Sequence, residues 1–211
     1  MATTSALGKV FDGVFGRRRR LRDTRSVLLT FDDGPHPEIT PIVLERLRTF
    51  QARAVFFVVG SRIERARGLL PEILAQGHII GNHSFEHRLE RDPGLISYVA
   101  DVRRCQALLT SLTGVTPGLF RAPMGRNTGG ALLTPRVLGL RQILWSVDSR
   151  DWELRAEKEA VMCGEKLCGT VRGGDIVLLH DDNRWTVKVL DILLPSLSSR
   201  GFDLQHGINS L

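Results

Sequence analysis

Five short apolar runs, Val27–Phe31, Ile79–Asn82, Leu119–Phe120, Ile143–Val147 and Ile176–Leu179, each end in a cluster of polar residues. Short apolar runs bounded in this way read as strands of a parallel sheet covered on both faces. In a β/α architecture the carboxyl ends of such strands open on one side. The five polar clusters, far apart in sequence, are therefore expected to converge in space. They are Thr30-Phe31-Asp32-Asp33-Gly34-Pro35, His83-Ser84-Phe85-Glu86-His87, Arg121-Ala122-Pro123-Met124-Gly125, Asp148-Ser149-Arg150-Asp151-Trp152 and Leu178-Leu179-His180-Asp181. Between them they supply adjacent carboxylates, two histidines four apart, an arginine, further carboxylates and a late histidine. That is the inventory of a metal-assisted hydrolase.

The intervening segments carry helical periodicity. Strands are expected at Val27–Phe31, Ala54–Val59, Ile79–Asn82, Leu119–Arg121, Gln142–Asp148, Asp175–His180 and Phe202–Leu204. Helices are expected at Ile39–Phe50, Leu69–Gln76, Pro93–Leu112 with Gly114 as its stop, Leu132–Leu138, Ala156–Val171 and Thr186–Arg200. About seven strands alternating with helices indicate an α/β barrel or an open parallel sheet. A length of 211 residues and a hydrophobic fraction of 42% suit one domain with a sizeable core.

The charge is uneven. Of the net +6, a net +5 lies in residues 1–25, where Lys9, Arg17–Arg20, Arg22 and Arg25 face only Asp12 and Asp23. Residues 1–25 therefore read as a basic N-terminal arm and 26–211 as the α/β domain. In the arm, Leu7, Val10, Phe11, Val14 and Phe15 fall at helical spacing beside the arginine run. An arm docked on its own domain is the first reading, and weak contact with an anionic membrane surface the second. Nucleic acid is not expected as a partner, since no recognition motif accompanies the basic run. Cys105, Cys163 and Cys168 fit neither a metal spacing nor a disulfide framework. The arginines follow the apolar residues, the reverse of a signal peptide, so a cytoplasmic location is expected. A secreted or cell-envelope location is the alternative if this N-terminus is not the native one.

The residue types suggest roles. Asp32 and Asp33 end the first strand, where neighbours point in different directions, so one can bind a metal while the other serves as a base. His83 and His87, at a strand end leading into a loop or helical turn and spaced to stack on one side of a helical turn, make with Asp33 a two-histidine, one-carboxylate set with open positions, which suits a catalytic ion. The same set suits zinc or iron(II). Arg121 at a strand end can orient a buried carboxylate. The loop through Met124 can offer backbone N–H groups to an oxyanion. Asp148 or Asp151 can hold Arg121 or His180, Trp152 can wall a pocket, and His180 is a candidate general acid.

These five clusters, in this order across Thr30–Asp181, resemble the motifs of the polysaccharide deacetylase (NodB-homology, carbohydrate esterase) family, and the similarity runs from about Ser26 to the C-terminus. The resemblance implies a distorted (β/α) barrel of about seven parallel strands. It also implies removal of N-acetyl groups from N-acetylglucosamine glycans of the chitooligosaccharide or peptidoglycan type, with release of acetate. O-acetyl esterase activity, or hydrolysis of a non-sugar amide, is the alternative on the same fold.

By resemblance Asp32 is the base, Arg121 positions it, His180 is the acid and Asp151 tunes the acid. Asp33, His83 and His87 hold one divalent ion, zinc in first place, with cobalt, iron or another divalent ion as alternatives. Pro123, Met124, Gly125, Trp152 and Leu178 shape the substrate site. Two departures from the family pattern bear on sugar specificity. Met124 stands where tyrosine is usual, and Asp182-Asn183-Arg184-Trp185 is bulkier and more polar than usual.

Overall fold

The computed structural model describes residues 16–87, 94–125 and 128–211. Seven parallel strands form one sheet in the order β5-β4-β3-β2-β1-β7-β6. They are β1 (Leu28–Asp32), β2 (Ala54–Val58), β3 (Ile79–Asn82), β4 (Leu119–Phe120), β5 (Arg141–Gln142), β6 (Val147–Asp148) and β7 (Ile176–His180). Among the described residues six helices cover the sheet: α1 (Ile39–Thr49), α2 (Leu69–Ala75), α3 (Leu95–Thr113), α4 (Gly129–Val137), α5 (Glu157–Thr170) and α6 (Trp185–Ser199). α3 stops at Gly114, whose φ of 70° gives the left-handed cap that glycine adopts without strain. Among the described residues no helix is long and apolar enough to cross a membrane.

The strand count is reached by a different route from the sequence reading. Gln142–Asp148, read as one strand, is two: β5 and β6 sit on opposite edges of the sheet. From Gln142 to Val147 the chain reaches at most about 17 Å. The edges of a flat seven-stranded sheet would stand about 29 Å apart. The sheet must therefore curl until its edges face each other. Residues 143–146 cross the gap: Ile143 N donates to Phe120 O at 2.9 Å, and Ser146 N donates to Ile176 O at 3.0 Å. Phe202–Leu204, read as a strand, reduces to one isolated bridge, Ser26 with Asp203.

Strand alternation sorts side chains to the two faces. Outward residues such as Leu29, Phe31, Phe56, Val58, Val177 and Leu179 pack with the helices in the main core. Inward residues Leu28, Val55, Phe57, Leu119 and Ile176 fill the barrel, with Leu21 and Ile208 in the same cluster. On β1 the inward series is Leu28, Thr30, Asp32. On β7 it is Ile176, Leu178, His180, and the register pairs Asp32 with His180. The period of two thus lifts the interior from apolar to polar along the strands, and two of the candidate catalytic residues stand side by side at the polar end.

The apolar residues 7–15 of the arm lie outside the described residues. Its later part is extended. Arg18 N donates to Gln142 O at 3.0 Å, Leu144 N to Arg18 O at 2.7 Å and Leu21 N to Gly174 O at 2.8 Å, with Leu21 buried. Deleting residues 1–22 is expected to lower the melting temperature by about 3–10 °C through loss of Leu21 alone, which a thermal scan would measure.

Candidate active site

The two histidines come together on a loop, not on a helical turn. Ser84 and His87 have φ of 69° and 54°, and these left-handed residues fold the segment back until the His83 and His87 ring centroids are 5.1 Å apart. Of the six described non-glycine residues with positive φ, five, namely Asp33, Ser84, His87, Met124 and Arg150, fall in the polar clusters. Such conformations cost about 1–3 kcal/mol each and persist where the surroundings impose them. Here the surroundings are visible: Asp101 on α3 accepts from Phe85 N at 2.8 Å and Glu86 N at 3.2 Å, and Asn82 Oδ1 accepts from Ser84 N at 2.8 Å.

Asp33, His83 and His87 present one donor atom each, all within 4.8 Å of one another. Asp33 Oδ1 stands 3.0 Å from His87 Nε2 and 3.6 Å from His83 Nε2. Ligands of one tetrahedral ion at 2.0–2.1 Å are about 3.4 Å apart, so the set fits a divalent ion. Two further observations agree. Asp33 Oδ1 is buried without a well-formed hydrogen bond. His83 Nδ1 lies 2.8 Å from Arg121 O, and a carbonyl can only accept, so Nδ1 carries the proton and the Nε2 lone pair faces the site. Burial pulls the His83 imidazole below its usual pKa against the attraction of Asp32 and Asp33, which keeps it neutral. Burial alone would raise the Asp33 carboxyl, but His87, His83 and His180 outweigh it and hold it well below the carboxylate range.

Asp32 lies beside this set, its Oδ2 3.6 Å from His83 Nε2. Its other oxygen accepts from Arg121 Nη1 at 2.7 Å. Arg121 is completely buried. The same Nη1 donates to Thr30 Oγ1 at 2.8 Å, Nε to Ile143 O at 3.1 Å and Nη2 to Leu144 O at 3.0 Å. Its guanidinium lies 4.2 Å from the centre of the Phe57 ring. One side chain therefore fixes Asp32 and satisfies the carbonyls of the segment that closes the barrel.

His180 Nδ1 is 2.7 Å from Asp151 Oδ1. Burial would lower this histidine, but Asp151, then Asp32 and Asp33, push it up to about 9. Asp151 is itself fixed: Oδ2 accepts from Thr186 Oγ1 at 2.6 Å and His180 N at 2.9 Å, and Oδ1 from Ser149 Oγ at 2.9 Å. Asp148, the other carboxylate considered in the sequence, is exposed and accepts from Arg150 N at 2.9 Å. Asp151→Asn is expected to remove the largest raising influence on His180, leaving burial opposed only by Asp32 and Asp33. His180 would then hold its proton less firmly, turnover would fall about tenfold or more, and the alkaline limb of the pH–rate profile would move to lower pH.

Sequence reasoning did not single out Ser149, Thr186, Asp101 or Thr40 as supports. They are ordinary polar residues, and only the fold shows what they touch. Thr40 Oγ1 donates to Asp181 Oδ2 at 2.5 Å beneath Gly34. A Cβ at Gly34 would lie 2.2 Å from that oxygen, so the turn after Asp33 requires glycine. Of the residues read as shaping the substrate site, Trp152 is half-exposed and lines a groove of about 570 Å³ with Asp33, His36, Arg155, Asn183 and Trp185. Met124, φ 55°, is exposed, whereas Pro123 and Leu178 are buried. Gly125, φ 60°, packs so closely that a Cβ would meet Trp145 at 2.5 Å.

A barrel closed by a buried arginine, with three candidate metal donors, a carboxylate held by that arginine and a histidine held by a second carboxylate at one end, has known relatives. The family model for polysaccharide deacetylase matches residues 19–143, and the chain belongs to that family. A chitooligosaccharide deacetylase of Azorhizobium caulinodans is 33% identical over 91% of this chain and 98% of its own length. A peptidoglycan-N-acetylglucosamine deacetylase of Bacillus cereus is 34% identical over 83% of each chain. The crystal structure of the Bc1960 peptidoglycan N-acetylglucosamine deacetylase is 26% identical, covers 92% of each chain and superposes with a TM-score of 0.84.

Proposed function

We propose that this protein removes the N-acetyl group from N-acetylglucosamine residues of chitooligosaccharide- or peptidoglycan-type glycans, releasing acetate, with zinc as its ion. The observation that carries the amide reading is His180. A leaving amine must be protonated to depart, and a histidine raised to about 9 is a cation at neutral pH with a proton to give. The named relatives act on such glycans.

The residues divide the work. Asp33, His83 and His87 hold the ion, which when bound supplies a Lewis acid for the acetamide carbonyl. Asp32, held by Arg121, takes a proton from the attacking water. The loop at Met124 offers a backbone N–H to the developing oxyanion. His180, charged through Asp151, protonates the leaving nitrogen. The groove between Trp152 and Trp185 receives the sugar, its aromatic walls suited to the apolar faces of pyranose rings.

Acetate release from N-acetylglucosamine oligomers of increasing length, peptidoglycan fragments, acetylated xylan and a cyclic amide tests the reading. Release from the N-acetylated glycans alone is expected. Release only from xylan would indicate an O-acetyl esterase, and release only from the cyclic amide a non-sugar amidohydrolase.

A further inference from the structure

At the end of the barrel opposite the metal donors lies a second cavity, of about 370 Å³. It is lined by Arg18, Arg22 and Arg141 with Asn209, Ser210 and Leu211, and the one acidic group among these residues is the α-carboxylate of Leu211. Three segments bring the arginines together: the extended chain at 16–22, the first residue of β5, and the turn Gly207–Ser210. Arg18 is fixed by its bond from Nη1 to Ser210 O at 2.7 Å. Arg22 and Arg141 are exposed, and among the described residues neither has a carboxylate within 4 Å.

Other arginines of this chain are treated differently. Arg20 meets Asp175 at 2.8 Å, Arg46 meets Asp191 at 2.7 Å, Arg62 meets Asp182 at 2.6 Å and Arg104 meets Glu86 at 3.2 Å. The mutual repulsion of the three is felt at Arg18, whose pKa is lowered by burial first and then by Arg22 and Arg141. Three guanidinium forks facing a polar cavity, opposed there only by the α-carboxylate of Leu211, leave an excess of positive charge and match the oxygens of a phosphate, which they bind bidentately. The catalytic chemistry has no use for this place, since its residues stand at the other ends of the strands.

We propose that this cavity binds a phosphate group, carried by a soluble phosphate compound or by a lipid headgroup. The anion balances the excess of guanidinium charge and ties the 16–22 segment to β5 and to the C-terminal turn. The site is independent of the deacetylation reading.

Isothermal titration of the full-length, metal-loaded protein with pyrophosphate at fixed ionic strength tests it, on wild type and on Arg22→Gln/Arg141→Gln. Both replaced side chains are exposed, so the variant is expected to melt as wild type and to keep its hydrolytic rate. Saturable binding by wild type, weakened about tenfold or more in the double variant, is the expected result. Absence of saturable binding, or equal affinity in the two proteins, overturns the proposal. Equal affinity would mean that pyrophosphate meets the metal site instead. Sedimentation with vesicles of 30% phosphatidylglycerol in phosphatidylcholine distinguishes the sources. Pelleting that pyrophosphate abolishes points to a headgroup, and pyrophosphate binding without pelleting points to a soluble phosphate.

Discussion

Asp32→Asn is expected to lower turnover by roughly 10²–10⁴-fold while leaving the metal in place. The substitution keeps the shape and keeps an oxygen that can accept from Arg121 Nη1, now 2.7 Å from Oδ1. It removes the basic oxygen that faces His83 Nε2. Asp33 and the two histidines are untouched, so metal content should match wild type. Steady-state acetate release and elemental analysis on the same preparation check both halves. A near wild-type rate would show that another group accepts the proton. Loss of metal would show that Asp32 is a ligand.

Arg121→Met is expected to be the most destabilising single change near the site, by about 3–5 kcal/mol. Removing one partner of a buried ion pair leaves the other charge uncompensated, and Asp32 is only 4% exposed. The carbonyls of Ile143 and Leu144 lose their donors at the same time. Those carbonyls belong to the segment joining the two edges of the sheet, so the damage extends to barrel closure. Asp32 without Arg121 also loses the donor that holds its carboxylate in place, so activity falls as well. Arg121→Lys should recover part of the charge effect but not the fork that reaches both carbonyls. Urea denaturation followed by an activity assay measures both consequences. A variant within 1 kcal/mol of wild type would refute the bracing role.

Arg121 also shows what the sequence could and could not disclose. Its place after Leu119-Phe120 marked it as a residue at a strand end that can orient a carboxylate, and the structure puts it on Asp32. Its second task, holding residues 143 and 144, depends on a chain crossing that periodicity cannot express. Ile143–Val147 is apolar throughout and reads as a strand, yet it bridges two edges that meet only because the sheet curls. The metal donors were legible as residue types at strand ends. The loop conformation that joins them was not, because left-handed Ser84 and His87 carry no sequence mark. Asp151 was one of two candidate carboxylates, and burial separates it from the exposed Asp148. Thr186 and Ser149, which hold Asp151, lie among many hydroxyl residues and become supports only through the fold.

Acetate release by the metal-free protein, titrated with zinc, tests most directly that Asp33, His83 and His87 hold the ion this hydrolysis requires. Exhaustive chelation should abolish release from an N-acetylglucosamine oligomer, and about one equivalent of zinc per chain should restore it. Release that persists in full after the metal has been removed would contradict the account.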